Sequence, residues 1–128
     1  MADYSPIFSG GAIPFTVTTG GVVTGGNVVV WSAASTVTVS GADSAVVAGV
    51  AAHDAASGAK LTVWPLDGCI HELVASGAIT VLAGVVTDAT GQVKTATVGT
   101  AAALGTLIGT AVTTAAGSPL KLRVQGRR

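Results

Sequence analysis

At 128 residues, with six basic and six acidic side chains balancing to no net charge, the chain has room for one compact domain and not for several. Hydrophobic residues make up 49%, charged residues 9% and aromatics 4%, with a mean hydropathy of +0.70, which excludes a disordered chain and leaves no counterion-release drive toward specific nucleic-acid binding. Val, Thr, Ala and Gly supply about three-fifths of the sequence, so the core is made of small side chains that each bury less area than Leu or Phe, and part of the apolar surface is expected to be buried between chains.

The chain opens on Met1-Ala-Asp-Tyr-Ser-Pro, without the basic segment and apolar run of a signal peptide, so no secretion is expected. Tyr4, Phe8 and Phe15 are three of the five aromatics and fall among Pro6 and Pro14. Residues 1–15 therefore read as an extended arm carrying large apolar anchors, suited to docking on another subunit. The plainer alternative is an edge strand closing its own domain. Residues 16–128 read as a single β domain.

Within that domain, hydrophobic periodicity is that of strands. Leu120, Leu122 and Val124 alternate with Lys121, Arg123 and Gln125, which places apolar and polar sets on opposite faces. Short β-branched runs at residues 13–18, 28–31, 36–39, 61–64, 79–82 and 93–98 are bounded by Gly, Ser, Asn or Asp. They predict an all-β fold, a small barrel or sandwich, with at most one or two short helices. The only helix candidates are Ala-rich pieces at residues 54–57 and 100–104. Gly20-Gly21 and Gly25-Gly26 predict a sharply bent connection and lack the Lys-Ser/Thr ending of a phosphate loop. Pro65-Leu66-Asp67-Gly68 and Asp88-Ala89-Thr90-Gly91 each predict a hairpin turn.

An internal repeat runs through the domain. Gly49-Val50-Ala51-Ala52-His53-Asp54-Ala55-Ala56 lies 60 positions before Gly109-Thr110-Ala111-Val112-Thr113-Thr114-Ala115-Ala116, and residues 23–29 around Gly26 more weakly match residues 79–86 around Gly84. Two related β units are expected, at about residues 20–65 and 78–125.

Reactive residues are few. Cys69 is the single cysteine and cannot form an intrachain disulfide. Cys69 and His71 share one face of a strand, so a thiolate–imidazole pair, or a metal site with Asp67, can be written down. A lone Cys among β-branched neighbours is more often a small buried hydrophobe. No catalytic residue, cofactor or metal is assigned. Two long uncharged stretches, residues 4–42 and 95–120, are dense in Gly and Thr, and no membrane span is expected even though Gly105 and Gly109 have helix-packing spacing. Charge is segregated: residues 1–93 hold all six acids and only Lys60, while Lys94, Lys121, Arg123, Arg127 and Arg128 follow without an acid. Opposite signs can meet between chains, or the basic end can be a solvated tail.

Gly11-Ala-Ile-Pro-Phe-Thr, Val23-Thr-Gly-Gly-Asn-Val-Val, Gly49-Val-Ala-Ala-His-Asp-Ala-Ala-Ser-Gly, Ile108-Gly-Thr-Ala and Leu120-Lys-Leu-Arg-Val together resemble the capsid decoration, or cement, proteins of tailed bacteriophages. The resemblance covers about residues 11–125. It departs at Asn27, where an acidic residue is expected, and at Thr114, which stands in the place of Asp54. The resemblance implies a non-enzymatic virion protein, made in the host cytoplasm, that binds the major capsid protein on the outer capsid surface and stabilises the shell, commonly as a homotrimer. Tyr4, Ile7, Phe8 and Phe15 are then the expected docking anchors. Ile13, Trp64, Arg123, Arg127 and Arg128 complete the expected capsid or intersubunit surface. The alternative is a tail, fibre or baseplate β module, with Trp31 and Trp64 as the aromatics available to stack on glycans.

Overall fold

A computed structural model describes residues 3–96 and 106–126. Among these residues ten strands form in chain order: β1 Phe15–Thr19, β2 Val28–Ala33, β3 Thr36–Val39, β4 Val47–Ala51, β5 Lys60–Trp64, β6 Ile70–Val74, β7 Gly84–Thr87, β8 Val93–Thr95, β9 Gly109–Ala111 and β10 Lys121–Gly126. Strands β1–β5 close into a barrel in the order β1-β3-β2-β4-β5, and β6–β10 form a second five-stranded sheet in the order β6-β10-β9-β7-β8. The fold is all-β, as the periodicity predicts. The one helical element among the described residues is a 3-10 turn, Ala89–Gly91, capped by the Asp88 carboxylate. Residues 54–57 are not helical, because Ala55 pairs with Val23 across the barrel end; the candidate at residues 100–104 lies outside the described residues. No helix among the described residues is long and apolar enough to cross a membrane.

The second sheet repeats the pairing of the barrel. In the barrel β1 runs parallel to β3 and antiparallel to β5, and β2 pairs with both β3 and β4. In the second sheet β6 pairs antiparallel with β10 and meets the start of β8 through a parallel Ala75–Val93 bridge, while β7 pairs with both β8 and β9. Interior residues correspond: Val17 with Leu73, Val23 with Ile79, Val37 with Val93, Ala55 with Ala115, and Leu61 with Leu122. Local bonds correspond too. Asp54 Oδ1 accepts the Gly25 N–H at 2.9 Å, and Thr114 Oγ1 accepts the Val81 N–H at 3.1 Å, so the Asp-to-Thr departure keeps the same turn contact. The correspondence places Leu82, not Gly84, opposite Gly26: both have positive φ, 72° and 91°, and their N–H groups donate to Ala111 and Ala51.

Small residues follow from this architecture. A barrel's width grows with its strand number, and five strands leave an interior too narrow for many large side chains. The first interior holds Val17, Val23, Val29, Val37, Ala51, Leu61 and Val63, all buried. Val28 and Val50 point out of that barrel and join Leu66, Leu73 and Ile108 in the second core, so the two sheets share one apolar seam. The seam is tied at its rim. The Asp43 N–H donates to the Thr87 carbonyl at 2.9 Å, Ser40 Oγ donates to the Asp88 carbonyl at 3.1 Å, and Lys94 pairs with Asp43 at 3.0 Å. The Ser76 hydroxyl, at 2.6 Å, and the Ala89 N–H hold the Asp88 carboxyl below its usual range.

Two expected features come out differently. Pro65 to Gly68 does not close a hairpin: β5 pairs with β1 and β4, and β6 with β10, so this segment is the crossover between the sheets. Leu66, 2% exposed, drives the crossing by inserting into the second core. Residues 79–82 are also not a strand. Ile79 makes a single bridge with Ala115, and the chain then turns through Leu82 before β7 begins.

Close backbone approach explains the paired glycines. A Cβ on Gly49 would collide with the Trp64 carbonyl, and one on Gly109 with the Gln125 carbonyl. Gly49→Ala and Gly109→Ala should each cost about 1–3 kcal/mol in urea unfolding, as overpacked sites do. Gly77→Ala, with nothing within 4 Å of the added carbon, should stay within about 0.5 kcal/mol. Equal effects at all three positions would contradict this packing.

Candidate functional site

The N-terminal segment is a strap laid across both sheets. Asp3 bridges His53, and the Tyr4 N–H donates to the Ala52 carbonyl at 2.7 Å, pinning the first end beside β4. Farther along, the Ile7 N–H donates to the Ile70 carbonyl at 2.9 Å and the Ile70 N–H to the Phe8 carbonyl at 2.8 Å, so Phe8 pairs with the first residue of β6. Prolines at 6 and 14 fix φ in extended backbone, and the Ala12 N–H returns to the Ser9 carbonyl before β1 begins.

Tyr4 faces inward. Its ring packs against the second core and stacks on His71 with centroids 5.7 Å apart. His71 is fully buried, and its bonds settle which nitrogen carries the proton. Nε2 lies 2.8 Å from the Pro65 carbonyl, an acceptor only, so Nε2–H donates there. Nδ1 is then free to accept the Tyr4 hydroxyl at 2.6 Å, and that hydroxyl oxygen accepts the Glu72 N–H at 3.1 Å. Three buried polar groups thus form one directed chain. Burial lowers the His71 pKa below its usual value, against the Pro65 bond, and burial raises that of the Tyr4 phenol, so both stay neutral. Among the described residues no buried side-chain nitrogen or oxygen lacks a partner.

The same strap presents apolar side chains outward. Ile7 is 47% exposed, Phe8 59% and Ile13 81%. Three large apolar side chains thus stand exposed along a segment whose backbone is pinned at Tyr4, Ile7 and Phe8, where loops usually carry polar groups. The other sequence-predicted residues lie elsewhere. Phe15, at the start of β1, packs on the first core and stacks on Trp31 at 6.0 Å, and Trp64 is half-buried at the end of β5, opposite Val50. Arg123 is exposed on β10 across from Glu72, beside the loose Lys121–Glu72 pair at 3.9 Å. Arg127 and Arg128 lie outside the described residues. Ile7, Phe8 and Ile13 are thus exposed on the strap, whereas Trp64 belongs to β5 and Arg123 to β10.

Cys69 and His71 are not coupled to each other. Cys69 Sγ donates to the Ser9 carbonyl at 3.5 Å beneath the strap, and burial, then the Asp67 carboxylate, keeps the thiol protonated. Both imidazole nitrogens are already bonded. Among the described residues no group of three His, Cys, Asp or Glu could hold a metal ion. What sequence reasoning missed is the role of His71 as the residue that seats Tyr4; its shared strand face with Cys69 was the available signal. It also missed the exposed Leu82, at 76%, which sits in a run that reads as a strand.

Comparison with known proteins agrees with this geometry. The phage cement protein family matches residues 7–126, from the second anchor of the strap to the end of β10. The fold is similar to the head fibre gp8.5 N base of bacteriophage phi29, at TM-score 0.71 and 17% identity, covering 90% of this chain and 93% of that one. No curated protein matches. The chain belongs to the phage cement protein family, and so to the structural proteins that bind the phage capsid.

Proposed function

We propose that the chain docks on the outer surface of the assembled shell through the outward face of residues 1–15, contacts the major capsid protein there, and holds neighbouring capsid subunits together as a homotrimer. The observation that carries this reading is the exposure of Ile7, Phe8 and Ile13 on backbone hydrogen-bonded to both sheets. A preordered strap loses little conformational entropy on docking, so the burial of large apolar side chains goes into affinity. Repetition of such a face in a trimer multiplies weak contacts into avid attachment. Residues 16–128 serve as the β body that fixes the strap, and the protonated Cys69 and engaged His71 favour a role without catalysis. Synthesis in the host cytoplasm and assembly onto the shell complete the reading.

Tyr4 changes how this is tested. Removing residues 1–10 would strip the ring from His71 and damage the fold, so substitutions must be confined to the outer face. Phe8→Ser and Ile13→Asp should each weaken co-sedimentation with expanded empty capsids by about tenfold or more, as loss of a docking anchor does, without moving the melting temperature. Binding at the level of the unaltered protein in the double variant would overturn the docking face.

A second reading, a base on which a fibre is mounted, is favoured by the likeness to the phi29 head fibre base. Shell mechanics separates the two. Capsids saturated with the protein should rupture at a higher temperature than bare capsids if the protein is a cement, and at the same temperature if it only carries a fibre.

A further inference from the structure

We propose that the strap is a proton-operated latch: protonation of His71 expels Tyr4 from its seat and lifts residues 3–13 off β6 while both sheets stay folded. The geometry is specific. Tyr4 can donate to Nδ1 only while the imidazole is neutral, because Nε2 already holds its proton against the Pro65 carbonyl. A second proton turns Nδ1 from acceptor to donor. The hydroxyl hydrogen then loses its acceptor, and the Tyr4 oxygen faces two donors, Nδ1–H and the Glu72 N–H.

The charge itself has nowhere to go. Around His71, Tyr4 on the strap and Cys69 two residues before it on the same segment are neutral. The Glu72 carboxylate is part-exposed beside Lys121, Asp67 is exposed in the crossover, and from β10 the residue paired with His71 is Val124. The neighbours of Val124 in sequence, Arg123 and Gln125, both stand on the exposed face of β10, and only Arg123 is charged. An unpaired imidazolium at a fully buried position is costly, and lifting the strap relieves it by admitting water.

The sign follows from linkage. His71 in the seated strap has a pKa below its ordinary 6.5, so the seated state is fully favoured above about pH 6.5 and loses its advantage as pH falls toward the lowered value. His53, the second imidazole beside the strap, lies at the Asp3 bridge and accepts the Thr62 N–H through Nε2, so the His71→Gln variant is what assigns any pH dependence to His71. A consequence for attachment, that acid loosens the outer apolar face, rests on the docking reading above; the latch does not.

Cys69 supplies the readout, because the single thiol is fully buried under Ser9 and becomes accessible only when the strap lifts. The full chain, free in solution, is labelled with 4,4′-dithiodipyridine at pH 7 and pH 5, with rates divided by those of a free small thiol at the same pH. The latch predicts at least a tenfold rise in the normalised rate at pH 5 with unchanged near-ultraviolet circular dichroism from Trp31 and Trp64. Tyr4→Phe should label fast at both pH values, and His71→Gln, which can donate and accept in the same places without titrating, should show no pH dependence. A normalised rate that stays flat to pH 5, or that rises only together with loss of the tryptophan signal, would overturn the proposal. So would a pH dependence that survives in His71→Gln. Capsid co-sedimentation is absent from this experiment, so failure of the docking reading leaves its result intact.

Discussion

The narrow interior of a five-stranded barrel is the constraint from which the rest follows. Strands closed at that number admit Val, Ala and an occasional Leu, and the interior of β1–β5 is filled in this way, while the second sheet carries larger Leu and Ile side chains at several corresponding positions. The lightness of the barrel is thus a packing requirement and not a shortage of core. Even the glycines obey it: Gly49 and Gly109 sit where the backbone of the next strand comes too close for a side chain.

Outside the barrel interior, individual side chains do other work. Leu66 carries the chain from barrel to second sheet, Val28 and Val50 make the seam, and Tyr4 seats the strap. The seat joins structure to function, because Tyr4 on the inside and Phe8 on the outside belong to the same short run of backbone. Hydrogen bonds at Ala52 and Ile70 hold that run, and Tyr4, His71 and Pro65 fix it between them. A face displayed on such a run keeps its shape before any partner arrives. Segregated charge adds a second, weaker character: Arg123 and Lys121 stand exposed on β10.

Much of the fold is legible in the residues, and the failures have physical causes. Alternation at residues 120–125 marks β10, because period-two burial leaves a plain trace; the Gly49 and Gly109 segments read only as a repeat, and they form β4 and β9. Pro65 to Gly68 carries every local sign of a hairpin, yet Leu66 has a buried place in the other core, and tertiary packing overrides turn chemistry there. Residues 79–82 look like a strand because Ile, Val and Leu read the same way in a turn that keeps only Ile79 inside. The aromatic arm is visible by composition alone. Composition has no means of telling that Tyr4 points in and Phe8 points out; that division depends on which neighbours supply an acceptor, and His71 lies 67 positions away.

The outward side of the strap is the surface proposed to meet the capsid. Hydrogen–deuterium exchange on the free and the capsid-bound protein measures it directly, amide by amide. Docking through the strap predicts new protection concentrated at residues 5–13, with the interior strands of both sheets unchanged because they are already protected. Protection that appears instead at the turn around Leu82, with residues 5–13 exchanging as in the free protein, would contradict it.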